Sequence, residues 1–185
     1  MGNELMPDSQ NIVQINRAPV LTLWAAVVAK RLGFTWDEAL SLGKAVAGLN
    51  AQSKGRRLGI FTPPEAMAPA AVKKARQKKR GETMTVELLG RAVPVVNTED
   101  GLRSVNKDRP VTSESVEKYL AAKFGDDLDR VRQAMEALAN AHTPAKLAEA
   151  AFGLYEEFRP AIPAGVKGWG AKGELDLGRI RGMGR

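Results

Sequence analysis

Apolar residues crowd every face of the segment that opens at Pro19: Val20, Leu21, Leu23, Trp24, Val27, Val28 and Leu32. A helix apolar nearly all round belongs at the centre of a fold. Proline suits its first turn, where a missing N–H costs nothing, and Gly33 stands where a left-handed cap ends it. Residues 1–16 are a polar lead-in with one short strand signal at Ile12, Val13 and Ile15. A second helix is predicted from Thr35, which with Glu38 forms a reciprocal capping box. Its apolar face runs through Leu42, Val46 and Leu49. A seam of Ala39, Gly43 and Ala47 lets another helix approach closely.

The pattern then changes. Gly55, Gly59, Pro63, Pro64 and Pro69 give residues 55–69 the composition of a loop, and a short basic helix is predicted over 70–80, closed by Gly81. Met84, Val86 and Leu88 alternate with Thr85 and Glu87, as in a half-buried strand. Gly90-Arg91 reads as a type II′ turn, and a returning strand contains Pro94, which confines it to a sheet edge. Residues 98–110 read as a linker carrying the turn signal Asp100-Gly101.

Three amphipathic helices are predicted next. The first follows Thr112 or Ser113 and presents Val116, Tyr119, Leu120 and Phe124; the second is capped by Asp126 and presents Leu128, Val131, Met135 and Leu138. The third has Thr143 as cap and Pro144 in its first turn, and presents Leu147, Ala151, Leu154, Tyr155 and Phe158. Seven glycines in the last 26 residues oppose regular structure, so 160–185 reads as a Gly-rich arm lying on a surface.

The expected fold class is mainly α: an N-terminal helical unit with a basic segment and a small β-hairpin (1–97), a linker (98–110), a C-terminal three-helix bundle unit (111–159) and the arm (160–185). The order helix, helix, basic helix, hairpin is similar in layout to a winged helix, with 73–80 as groove helix and Gly90-Arg91 at the wing tip. The second helix is not expected to read DNA, because Asp37 and Glu38 at its front would face phosphates.

Charge then locates the candidate chemistry. The chain has 185 residues and a formal charge of +7. Residues 54–91 hold ten cations, Lys54, Arg56, Arg57, Lys73, Lys74, Arg76, Lys78, Lys79, Arg80 and Arg91, against Glu65, Glu82 and Glu87, so this one stretch carries a net +7. All other residues sum to zero. Six cations in the eight residues 73–80 repel one another with no acidic residue between them. A polyanion would supply the counter-charge.

Other chemistry is excluded or weak. There is no cysteine and only one histidine, His142, which removes disulfides, thiolate nucleophiles and multi-histidine metal sites; no metal and no cofactor are expected. His142 reads as a helix-end residue without a chemical role. Gly168 to Gly173 matches G-x-G-x-x-G literally, but Pro160 and Pro163 precede it where a buried strand is required. Asp126, Asp127 and Asp129 suit a helix N-terminus, and Glu156-Glu157 a solvated face. No catalytic motif appears, so the chain is read as non-enzymatic. The longest apolar run, 18–29, is shorter than the roughly 20 residues a bilayer needs. A membrane is not an expected partner, and the cytoplasm, or the nucleoid, is the expected location.

The expectation is a nucleic-acid-binding protein, taking double-stranded DNA rather than RNA through backbone phosphates at the ten cations. The alternative is an assembly factor, self-associating or docking an acidic protein on the same segment. Trp169, between glycines and near Lys167 and Lys172, is a further candidate partner contact that more commonly would anchor the arm to its own domain.

Overall fold

The computed structural model describes residues 11–52, 83–107, 109–162 and 171–184. Within them the fold is mixed, with helices predominating over two small antiparallel sheets. β1 (Ile12–Asn16) runs directly into α1 (Arg17–Leu32), and α2 (Trp36–Gln52) follows. A four-stranded meander comes next: β2 (Thr83–Leu88), β3 (Arg91–Thr98), β4 (Gly101–Asn106) and β5 (Arg109–Pro110). Helices α3 (Ser113–Phe124), α4 (Leu128–Asn140) and α5 (Pro144–Phe158) lead to β6 (Lys172–Asp176) and α6 (Leu177–Met183).

α1 is the hub. Val20, Leu23 and Trp24 have no exposed surface, and α2, α3, α4 and α5 all pack against it. The Trp24 indole N–H donates to the Ala151 carbonyl at 2.9 Å, and its ring meets Phe158 edge-on at 5.2 Å. The residues expected as an N-terminal unit and a C-terminal bundle thus share one core. The small-residue seam does what its spacing implies. A Cβ on Gly43 would lie 2.4 Å from the Thr22 carbonyl oxygen, so the α1–α2 crossing requires glycine there.

The capping box forms as expected. The Glu38 N–H donates to Thr35 Oγ1 at 3.2 Å, and the Thr35 N–H returns the bond to Glu38 Oε1 at 2.9 Å. Glu38 is nevertheless buried, so only Asp37 is exposed at the front of α2. The expectation that both carboxylates face outward fails for Glu38. Its second oxygen has a structural task, accepting the Leu102 N–H of β4 at 3.0 Å. Three residues on, Ser41 Oγ accepts the Ser104 N–H at 2.8 Å, while Ser104 Oγ donates to the Ser41 carbonyl at 2.8 Å. Side chains of α2 therefore satisfy the edge of β4 that β3 does not reach, closing an otherwise exposed ladder.

The β region departs furthest from expectation. Residues 98–110, read as a linker, carry β4 and β5. β3 is internal rather than an edge, pairing with β2 (Thr85↔Pro94) and with β4 (Val95↔Ser104). Pro94 is tolerated because the β4 ladder stops at Val95. The hairpin turn is Leu89-Gly90, one residue earlier than predicted, with φ of 51° and 76°. Two positive φ values make it type I′ rather than type II′. Leu89 is only 3% exposed, so its side chain packs inward while Gly90 stays exposed at the turn.

Among the helical expectations, Thr112 and Thr143 cap α3 and α5 as anticipated. Asp126 does not cap α4: a 3-10 turn, Gly125–Asp127, intervenes, and Asp127 stands at the N-cap with its side chain bonded to Arg130 rather than to a backbone N–H of the helix. The Gly-rich arm is also regular at its end. β6 pairs antiparallel with β1 from Ile12↔Asp176 to Asn16↔Lys172, and Leu175, Leu177 and Ile180 are fully buried in the core. Gly173 permits this, since a Cβ there would strike the backbone of Ala161. No helix among the described residues is long and apolar enough to cross a membrane.

Candidate functional site

Nine of the ten expected cations, Lys54, Arg56, Arg57, Lys73, Lys74, Arg76, Lys78, Lys79 and Arg80, lie outside the described residues, and so does Trp169. The described fold shows where their segment is rooted: it leaves α2 after Gln52 and rejoins at Thr83, the first residue of β2.

Arg91 is the tenth. It opens β3 and reaches back to the end of α2, where one guanidinium nitrogen donates to Asn50 Oδ1 at 2.8 Å. Its guanidinium carbon lies 5.4 Å from the Phe152 ring centroid, a cation–π contact with α5. Burial lowers its pKa from the ordinary arginine value, although a guanidinium stays charged at any physiological pH. Its buried Nε has no hydrogen-bond partner among the described residues. Arg91 thus pins the root of the basic segment to the helical layer.

Elsewhere Lys30 of α1 meets Glu136 of α4 at 3.9 Å, and two further pairs are local. Arg130 binds Asp127 at 2.8 Å and Arg132 binds Glu136 at 3.1 Å, both one helical turn apart. The Arg132 guanidinium also stacks 3.9 Å from the Trp36 centroid. His142 ends α4, with Nδ1 at 3.1 Å from the Leu138 carbonyl oxygen and its own carbonyl accepting two bonds from Arg31. Among the described residues, no three His, Cys, Asp or Glu side chains gather as a metal would need.

A second basic feature emerges only in three dimensions. An open cleft of about 670 Å³ is lined by Lys44 from α2, by Asn106, Lys107, Arg109, Pro110 and Val111 around β5, and by Thr112 and Ser115 from the first turn of α3. The Lys44 ammonium sits 4.2 Å from the Tyr119 centroid. Burial, and then the neighbouring Lys123 charge, hold Lys44 below the ordinary lysine range. The cleft wall is fixed from behind: the Val111 N–H donates to Ser104 O at 2.8 Å, and the Val111 carbonyl accepts from Ser41 Oγ at 2.7 Å.

No family model, curated protein or solved structure matches this chain. Function must be argued from the chemistry alone.

Sequence reading missed the cleft for a plain reason. Lys44 and Arg109 are far apart along the chain, and neither belongs to a charge run. The one available signal was the pair Lys107 and Arg109 just ahead of a helix cap at Thr112.

Proposed function

We propose that the protein is non-enzymatic and binds nucleic acid, double-stranded DNA in preference to RNA, chiefly through phosphate contacts from Lys54, Arg56, Arg57, Lys73, Lys74, Arg76, Lys78, Lys79 and Arg80. The observation that carries this reading is the confinement of the whole formal charge of +7 to residues 54–91. Such a concentration of like charge is costly without counter-ions, and releasing counter-ions from a nucleic acid offsets that cost. Arg91 is assigned the supporting role of holding the segment's root.

The test is fluorescence anisotropy on random-sequence duplex DNA and single-stranded RNA across a salt series. The proteins compared are the wild type and a Lys73/Lys74/Lys78/Lys79→Glu variant. The six cations of residues 73–80, each on one phosphate, give a log–log salt slope of about −5 for the wild type on duplex, at about −0.9 per contact, and Lys54, Arg56 and Arg57 steepen it toward about −8. Flat titrations at low salt, or equal binding by both proteins, would sink the reading. Polyglutamate competing as well as DNA would turn it toward an acidic protein partner.

A further inference from the structure

The cleft between α2, β5 and α3 collects cations from separate parts of the chain, and among the described residues, which do not include Asp108, it pairs none of them with a carboxylate. Lys44, Lys107 and Arg109 all line it, and the nearby Lys123 adds a repulsive charge at Lys44. Among the described residues, no ion pair engages any of the four. Glu114, in the same first turn of α3, is not among the lining residues. Lys44 is the informative member. It is half-buried, stacked on Tyr119, and repelled by Lys123, an arrangement that costs stability unless an anion enters.

The cleft is also built rather than incidental. Lys107 is one of only two non-glycine residues among those described with positive φ, at 52°, and this backbone places it beside the strand that carries Arg109. The buried Ser41–Ser104 pair anchors Val111 by both its N–H and its carbonyl, fixing the wall from which Thr112 begins α3. The Ser115 hydroxyl donates to the Thr112 carbonyl at 2.8 Å, and the Thr112 hydroxyl, which accepts the Ser115 N–H, keeps its own hydrogen to donate into the cleft. Arginine offers a planar fork to an oxyanion, and the lysines add point charges.

We infer that this cleft seats a phosphate-type oxyanion, held by Lys44, Lys107 and Arg109 with the Thr112 hydroxyl. The proposal uses none of the cations of residues 54–80, which lie outside the described residues. The phosphate is either a backbone group of a nucleic acid or a free phosphate or phosphomonoester; the chemistry of recognition is the same.

The experiment is amide-resolved NMR on the full chain, titrated with inorganic phosphate at constant ionic strength, with chloride as the control. Saturable shifts at Lys107, Arg109, Val111 and Ser115 are expected with phosphate and not with chloride. Arg109→Gln, a change at an exposed side chain that leaves the core untouched, and Lys44→Gln should each weaken the response about tenfold, as one lost charge-assisted contact implies. Repeating the titration in the Lys73/Lys74/Lys78/Lys79→Glu background separates the two sites, because the cleft should respond unchanged even where DNA binding is lost. A short duplex that shifts the same amides identifies the backbone source; shifts with phosphate alone identify the free one. The inference is overturned if phosphate produces nothing beyond chloride at these amides, or if both glutamine variants respond like the wild type.

Discussion

Glu38 and Leu102 stand 64 positions apart, and the Leu102 N–H donates to Glu38 Oε2 at 3.0 Å inside the core. One carboxylate therefore caps a helix with one oxygen and terminates a sheet edge with the other. Removing it strands two backbone donors at once. Glu38→Ala should cost about 2–4 kcal/mol, since a buried donor left unpaired costs about 1–3 kcal/mol and a lost cap contributes further. Urea unfolding measures this; a loss under about 0.5 kcal/mol would contradict the dual role.

The glycines of α2 make a matched pair. Gly43 faces α1, where an added methyl would lie 2.4 Å from the Thr22 carbonyl oxygen, whereas Gly48 meets nothing within 4 Å. Gly43→Ala should destabilise by about 1–3 kcal/mol through overpacking. Gly48→Ala should stabilise by about 0.5–1 kcal/mol, the ordinary gain from replacing an exposed helical glycine. Thermal or urea midpoints that move in the same direction for both variants would refute the close crossing.

Arg91 and the 73–80 cations separate by salt dependence. Because Arg91 is bonded to Asn50 and stacked on Phe152, Arg91→Gln should lower stability by about 1 kcal/mol while leaving the DNA salt slope near its wild-type value. A slope reduced by about one contact would instead make Arg91 a phosphate ligand.

Tyr155 sets an alkaline limit. Burial pushes its phenol up to about 12, against the small opposing pull of Arg159 and Arg17. The unfolded phenol ionises near 10, so below that pH both states hold the proton and stability is unaffected. Between about 10 and 12 only the unfolded state loses it, and stability falls by about 1.4 kcal/mol per pH unit. Burial also raises Tyr119, which adds in the same direction. Tyr155→Phe should flatten this slope in urea unfolding at pH 10–12, and absorbance at 295 nm should show delayed tyrosinate formation until the fold is lost.

The helices were legible because their signals are local. The all-round apolarity of α1, the Thr35–Glu38 box, the Gly43 seam and the Thr143-Pro144 start each depend on neighbours within a few residues. The β elements were not. Leucine disfavours positive φ, so the sequence points to Gly90-Arg91 as the turn; burial of the Leu89 side chain outweighs that local cost. β4 shows no clean alternation, since Leu102, Arg103 and Ser104 are consecutive and all buried. Its partners are side chains of α2, which no local pattern announces. The glycines after Pro160 likewise suggested irregular chain, although Gly173 is there to let a strand pass close to Ala161. The charge run at 73–80 is conspicuous in sequence, whereas the cleft needs two distant segments, α2 at Lys44 and residues 106–115, to meet.

The β1–β6 pairing also bears on how the protein comes into being. Gln14 and Glu174 touch across 160 positions, and a ribosome adding roughly 5–20 residues per second needs roughly 8–32 s to make the second after the first. Throughout that interval β1 is an unpaired edge, and α1, apolar on every side, lacks part of its final cover. Nascent chains should therefore remain protease-sensitive and chaperone-dependent until β6 emerges, with consolidation of the core waiting on that strand.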